Sequence, residues 1–372
     1  MQGSTLGRRR PGLDIVLGKR GAELRSQDRP IKRERDNQFM TSRIRIIQYG
    51  LGPIGAAIAR LIAAKPGAEL VGAIDIDPAK VGKDLGRLIG LDNELGVRVS
   101  DNAQEVLSRE AEIVVHTTSS YLGKVKDQLI GCLNAGHNVV STCEELSYPF
   151  RKYPELSQEL NRHAVDNSVT LHGTGVNPGF VMDKLALTLS SVCQQVHGVR
   201  ITRVVNASLR RLPLQKKVGA GMTEAEFKAE VSAGRIKHHG LPESAGLIAD
   251  GMGLTVSDIT ESIEPVLAID PVVTDHLKVE PGQVAGVRQV CRGTDNGKER
   301  IYLELRMYVG APDPADTIHI DGVPGLSLTI PGGTHGDLAT AAAVVNSIAL
   351  VVKAEPGLKT VADIPVRFHA SF

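Results

Sequence analysis

Three glycines, an aspartate and two adjacent glutamates carry most of the chemistry legible in this 372-residue sequence. Arg43 to Gly55 read R-I-R-I-I-Q-Y-G-L-G-P-I-G: an apolar strand meets glycines at 50, 52 and 55, and an apolar helix follows. In such a strand–turn–helix the first glycine permits the tight turn, the second lets the backbone approach a pyrophosphate, and the third lets helix pack close on strand. Gly50, Leu51, Gly52, Pro53, Ile54 and Gly55 therefore form a candidate phosphate cradle, with the helix's unpaired N–H groups and positive dipole end behind it. A second strand, 69–74, ends in Asp75, 20 residues beyond Gly55, where a carboxylate holds an adenosine ribose. The alternative is a glycine-rich turn in some other α/β protein.

The glutamates follow another strand, in Asn138-Val139-Val140-Ser141-Thr142-Cys143-Glu144-Glu145. Ligands of a doubly wound sheet sit outside the carboxyl ends of its strands, so this pair faces the right place. Capping also explains it, because acids are favoured in the first turn of a helix. As chemistry, the charge type decides. Oxidation of an alcohol develops an oxyanion, which a cation or hydrogen-bond donor stabilises. Oxidation of an amine passes through a positive iminium, which a carboxylate stabilises, and the same group can move protons to and from ammonium and water. An acid here points to C–N rather than C–O chemistry. A Cys143 thiolate would support a covalent aldehyde route, but two flanking carboxylates disfavour the thiolate, and an inert buried cysteine is expected.

Other strand ends supply further candidates. Thr117, Thr118 and Ser119 can meet a cofactor with their hydroxyls and backbone, or cap the helix that starts near Tyr121; both can hold. Asn177, in Asn177-Pro178-Gly179, stands where a nicotinamide would meet substrate, with an ordinary Pro-Gly turn as the alternative. His335 can reach the substrate cleft, although helix capping explains its neighbours Thr334 and Asp337. No His/Cys/Asp cluster has metal spacing, and no metal is expected.

These groups need elements to hold them. From 42 to about 175 strands (43–49, 69–75, 112–117, 138–142, 168–173) alternate with helices (53–64, 101–108, 121–135, 153–166), with a loop or short helix at 81–86. This is the pattern of a Rossmann-type doubly wound parallel sheet. A helix at 180–194 leads into longer strands at 198–210, 258–269, 284–293 and 299–310, with helices at 223–233 and 243–251 between them. That predicts a second α+β domain built on a mostly antiparallel sheet. An Ala- and Val-rich helix, 334–353, closes the chain before Pro356-Gly357. The division expected is a dinucleotide-binding domain over 40–178, completed by 334–372, and a substrate and dimerisation domain over 179–333.

Composition sets the outer limits. The 43 basic and 42 acidic residues leave a net charge of +1, with no footprint for nucleic acid or an anionic membrane. Trp is absent and aromatics are 3%, which disfavours binding by base stacking. No apolar run reaches the roughly 18 residues of a membrane span. Cys132, Cys143, Cys193 and Cys291 show no C-x-x-C spacing, and a reducing, cytoplasmic setting is expected. Residues 1–39, with ten Lys or Arg against five acids, read as a disordered basic leader upstream of Met40.

Together Q-Y-G-L-G-P-I-G, D-I-D-P-A-K-V-G-K-D-L-G, N-V-V-S-T-C-E-E-L-S-Y-P, G-V-N-P-G-F-V-M-D and G-G-T-H-G-D-L-A-T-A-A-A-V-V-N resemble the 2,4-diaminopentanoate dehydrogenases and the related native NAD(P)-dependent amine dehydrogenases. The resemblance covers about 42 to 368. It implies a fold like that of dihydrodipicolinate reductase, a homodimer, and reversible oxidative deamination of an amine to a ketone and ammonia. It further implies that a glutamate of C-E-E is the acid/base: Glu144, with Glu145 as the fallback. Phe180 and His335, within two of the motifs, become candidate substrate contacts. His238-His239 resembles a double histidine of dihydrodipicolinate reductases, but the lysine-rich segment that should follow is absent. Asp75 favours NAD by repelling a 2′-phosphate, while Lys80 and Lys83 leave NADP open. Arg210, Arg211, Lys216 and Lys217 offer either an anion anchor for a diamino acid or ordinary solvated charges. Two other classes stay open, a reductase acting on C=N or C–O bonds without ammonia and a non-catalytic dinucleotide sensor.

Overall fold

The computed structural model describes residues 43–210 and 212–366. The expected leader, 1–39, and Arg211 lie outside the described residues. The strands are β1 (Ile44–Tyr49), β2 (Ala68–Ile74), β3 (Val99–Ser100), β4 (Ile113–His116), β5 (Asn138–Ser141), β6 (Thr170–Gly173), β7 (Gln195–Asn206), β8 (Asp258–Leu267), β9 (Val272–Val273), β10 (Lys278–Val279), β11 (Val284–Asp295), β12 (Lys298–Tyr308), β13 (Ala315–Val323), β14 (Leu326–Pro331) and β15 (Gly357–Lys359). The helices are α1 (Pro53–Ala63), α2 (Leu85–Leu88), α3 (Ala103–Leu107), α4 (Leu122–Asn134), α5 (Pro154–Asp166), α6 (Lys184–Ser190), α7 (Leu212–Lys217), α8 (Glu224–Ser232), α9 (Leu241–Met252) and α10 (Gly336–Val351).

The first sheet is wholly parallel, in the order β15-β6-β5-β4-β1-β2-β3. Its strands are buried on both faces, as parallel strands between helices must be. Ile46, Val115 and Val140 meet Ile58 and Ile62 of α1 and Val344 and Ile348 of α10. Their neighbours Ile47, Val114 and Val139 point the other way, onto Leu122, Leu129 and Leu133 of α4 and Leu160 of α5. The two-residue strand period sorts the apolar side chains between two helical layers. The strands' carboxyl ends are left to loops, and there the candidate residues gather.

The second sheet runs β14-β13-β7-β12-β11-β8, antiparallel except where β7 pairs with β12. Ile201, Leu303 and Ile318 pack one face against Ala245 and Ile248 of α9 and Ala186 of α6. The expected fold class is the observed one.

Several elements differ from expectation. The helix expected at 180–194 shrinks to α6, because the buried Asp183 carboxylate caps it. Asp183 accepts from the Lys184 N–H at 2.6 Å, the Gly179 N–H at 2.7 Å and the Ser244 hydroxyl at 2.8 Å. β13 and β14 occupy a stretch where no strand was expected, although Ile318 and Ile320 alternate inward with His319 and Asp321 outward. β15 adds three residues to the edge of the first sheet beside β6. Among the described residues no helix is long and apolar enough to cross a membrane.

Candidate active site

A cavity of about 470 Å³ lies outside the carboxyl ends of the first sheet and is walled on its far side by β11, β12 and the segment from α7 to His239. The glycine loop forms one end. Gly50 adopts φ +92°, and a Cβ there would meet the Thr117 carbonyl oxygen at 2.7 Å. At Gly55 a Cβ would meet the Gly50 carbonyl oxygen at 2.1 Å, so α1 seats against the turn only with glycine. At Gly52 a Cβ meets nothing within 4 Å, and no side chain caps α1. An open backbone at a bare helix N-terminus suits an anionic pyrophosphate.

The loop is tied from behind. Thr117 Oγ1 donates to the Gly50 carbonyl at 2.8 Å, and Gln48 Nε2 donates to the same oxygen at 2.9 Å. Asp75 Oδ2 accepts the Leu51 N–H at 2.7 Å and pairs with Lys80 at 3.2 Å, while Oδ1 accepts from the Asp77 N–H at 2.9 Å. Gly50, Leu51 and Asp75 thus shape the loop and do not line the cavity; Gly52, Pro53, Ile54 and Gly55 do. Thr117, Thr118 and Ser119 line it as well, each with a structural bond besides. Thr118 Oγ1 donates to Gln128 Oε1 at 2.7 Å, and Ser119 Oγ accepts the Tyr121 N–H at 3.3 Å.

Asn177 lines the cavity with both amide atoms buried and without a partner among the described residues. An unmade buried bond costs about 1–3 kcal/mol, so both amide atoms call for a partner, a water or a ligand group. An orphaned amide facing the cavity fits a nicotinamide carboxamide, as the open Gly52 fits a pyrophosphate.

The two glutamates take different environments. Glu145 is buried: its Oε2 accepts the Leu122 N–H that begins α4 at 2.7 Å and the Tyr153 hydroxyl at 3.0 Å, and its Oε1 pairs with Lys152 at 2.5 Å. Burial alone would raise its pKa, but these partners hold it below the ordinary carboxylate value. Glu144 faces the cavity and makes no ion pair among the described residues. Burial pushes its pKa up, against the smaller opposing effects of the Ser120 hydroxyl and the Lys217 charge. Cys143 is buried with its Sγ donating to the Ser120 carbonyl at 3.3 Å, and burial pushes its thiol up to about 12, which leaves no thiolate at neutral pH.

Two candidates lie elsewhere. Phe180 packs beside the apolar cluster under the second sheet and lines a separate cavity of about 300 Å³ with Lys184. The N-P-G turn carries its ring away from the cleft. His335 caps α10, with Nδ1 accepting from the Leu338 N–H at 3.4 Å, and only its neighbours Gly336 and Asp337 reach the lining. Sequence reasoning did not foresee Thr340 or the apolar wall of Leu214, Val218, Ile236, Val287, Leu305 and Met307. The double histidine is at the cleft: His238 lines it with Nδ1 buried and unpartnered, and the His239 ring meets Tyr121 edge-on at 4.6 Å. Among the described residues no three His, Cys, Asp or Glu side chains come together as a metal site.

Residues 180–370 match the family described as the 2,4-diaminopentanoate dehydrogenase C-terminal domain, and 44–143 match the dihydrodipicolinate reductase N-terminus. A 2,4-diaminopentanoate dehydrogenase of Acetoanaerobium sticklandii is 31% identical over 336 residues, which span 87% of this chain and 94% of that protein. The chain belongs to the 2,4-diaminopentanoate dehydrogenase family. Among solved structures, the amine dehydrogenase of Mycobacterium smegmatis superposes with a TM-score of 0.77 at 32% identity, covering 88% of this chain and 98% of the other. A dihydrodipicolinate reductase of Paenisporosarcina sp. TG-14, at 15% identity, shares the fold with a TM-score of 0.50 over 87% of this chain and 100% of the other.

The two glutamates should separate by stability. Glu145→Ala strands the Leu122 and Tyr153 donors and is expected to cost about 2–3 kcal/mol in urea unfolding. Glu144→Gln should do the reverse. A carboxylate whose folded pKa is raised favours the protonated native state, so its contribution falls as pH rises above the ordinary value of 4.5. Glu144→Gln is expected to melt above wild type at pH 8, with the gap closing as pH falls toward 4.5.

Proposed function

We propose that the chain oxidises an amine to a ketone and ammonia with NAD(P), and runs the reductive amination in reverse, with Glu144 as acid/base. The observation that carries the assignment is the division of labour between neighbours: Glu145 is committed to three partners, while Glu144 keeps a carboxylate in the cleft without a counter-ion among the described residues. The relatives, a 2,4-diaminopentanoate dehydrogenase and an amine dehydrogenase by name, agree with C–N chemistry.

In this reading Gly52 to Gly55 hold the pyrophosphate, Thr117, Thr118 and Ser119 line the path between, and Asn177 holds the carboxamide. The bound nicotinamide supplies the hydride acceptor. Ionised Glu144 takes a proton from the substrate ammonium and passes it to solvent, faces as a carboxylate the positive charge that develops on nitrogen, takes a proton from the water that attacks the iminium carbon, and gives that proton to the departing ammonia. In the other direction it returns those protons. Burial raises its pKa above the ordinary carboxylate value, the direction that suits a group that must both take and give a proton. Asp75 is offset by Lys80, so NAD and NADP both stay within the reading. Residues 40–178 with the segment from 334 bind the cofactor, and 179–333 close over the substrate. A homodimer and a cytoplasmic location belong to the same proposal, the latter supported by four free thiols. Light scattering is expected to report twice the 39.7 kDa chain mass, and a mass of one chain would refute the dimer.

Glu144→Ala is expected to lower kcat for ammonia-dependent oxidation of reduced cofactor by roughly 10²–10⁴-fold. In wild type, deamination should rise with pH through a limb above the ordinary carboxylate range, because the base must be ionised. Glu144→Gln should erase that limb. Near wild-type turnover in Glu144→Ala would remove the residue from the mechanism.

A further inference from the structure

One buried side chain ties the strand end that carries the cofactor contacts to the strand end that carries the base. His116, the last residue of β4, is fully buried and pairs in the sheet with Ser141, the last residue of β5. Its Nε2 lies 2.9 Å from both Gln128 Oε1 and Thr118 Oγ1, and its Nδ1 lies 2.9 Å from Ser141 Oγ. Gln128 belongs to α4, and Thr118 lines the cleft. Ser141 Oγ accepts the Cys143 N–H at 3.1 Å, and the His116 carbonyl accepts the Thr142 N–H at 3.0 Å. Both residues of the turn that leads to Glu144 are therefore held from His116. The Tyr49 ring closes the pocket, edge-on at 5.4 Å.

The protons of this network follow from donor and acceptor types. An amide oxygen only accepts, so Nε2 carries the ring hydrogen and shares it between Gln128 Oε1 and Thr118 Oγ1. Burial pushes the His116 pKa down to about 4, against the smaller effect of Gln128, so at neutral pH Nδ1 is a bare acceptor. Ser141 then gives its one hydroxyl proton to Nδ1 and meets the Cys143 N–H with a lone pair. Thr118 gives its own proton to Gln128 Oε1 at 2.7 Å. What Thr118 offers the cleft is a lone pair, which suits a ribose hydroxyl or an amide N–H and not a phosphate oxygen. We propose that His116 is a positioning residue that couples the two halves of the site. Its Nε2–H fixes the polarity of Thr118 toward the cofactor, and its Nδ1 fixes the Ser141–Cys143 turn from which Glu144 projects.

The inference rests on the roles given above to Thr118 and Glu144, and one of its two arms is read without turnover. Asparagine sets an amide oxygen near the place of Nδ1, and glutamine sets an amide N–H near that of Nε2, so each variant keeps one arm of the ring. His116→Asn is expected to raise the dissociation constants of NADH and NADPH, read from cofactor fluorescence, about three- to tenfold, the worth of one hydrogen bond. Its kcat at saturating cofactor should stay within about twofold of wild type. His116→Gln should do the converse, with cofactor binding within about twofold and kcat for ammonia-dependent ketone reduction down about fivefold or more, as a displaced base requires. Gln128→Met and Ser141→Ala, both off the cleft lining, should reproduce the Asn and Gln patterns in turn, and they decide the matter if a His116 variant does not fold. Binding and kcat falling together in every variant, or a lowered melting temperature with neither changed, would make His116 an ordinary core histidine and overturn the proposal. Absence of ammonia-dependent turnover in wild type would strike the amine–ketone reading instead, while the difference in cofactor binding between the Asn and Gln variants would still decide for or against His116.

Discussion

A carboxylate can be kept half-dry and chemically free only if its surroundings are fixed by something else. At the end of β5 that something is its neighbour. Glu145 binds the first N–H of α4, the Tyr153 hydroxyl just before α5, and Lys152. It joins a strand end to the starts of two helices. The tight turn at Glu144–Leu146 then leaves Glu144 on the cleft, with the Ser120 hydroxyl beside it and no ion pair among the described residues. Adjacent like charges would each oppose the other's ionisation. Here Lys152 neutralises one, so the other keeps its charge available for a substrate.

The opposite wall is held with equal economy of parts. A Cβ on Gly240 would stand 2.3 Å from the Pro178 ring, so the chain entering α9 lies directly on the Asn177-Pro178 turn. His238 is gripped through its backbone: its N–H donates to Gln289 Oε1 at 2.8 Å, and its carbonyl accepts from Gln289 Nε2 at 2.7 Å. The His239 ring reaches Tyr121 at the head of α4. These contacts bring the wall that carries Lys217 over the sheet end that carries Glu144, and they set the space in which a nitrogen and a nicotinamide must meet.

Much of this was legible beforehand, for physical reasons. A glycine whose Cβ has no room, such as Gly55, and one whose Cβ would lie in open space, such as Gly52, both leave the same letter in the same spacing, and the strand before them makes the motif interpretable. Buried parallel strands are short apolar runs that survive any reading frame of periodicity. What was not legible depends on direction. Nothing local distinguishes Glu144 from Glu145; the deciding partners are Leu122, 23 residues away, and Lys152 and Tyr153, seven and eight away. Phe180 belongs to a cleft motif, yet its ring turns to the other side of the turn. β13 and β14 did alternate, but the Gly- and Pro-rich segments that flank them masked it, and β15 is too short to show any period.

The central claim is that the Glu144 carboxylate faces the reacting nitrogen. The most direct measurement is a crystal structure of the ternary complex with oxidised cofactor and an amine substrate trapped by cryogenic soaking. The account predicts a Glu144 oxygen about 2.6–3.2 Å from the amine nitrogen, directly or through one water, with Glu145 still on Leu122, Lys152 and Tyr153. A nitrogen held by other groups, with Glu144 turned away from it, would contradict the account.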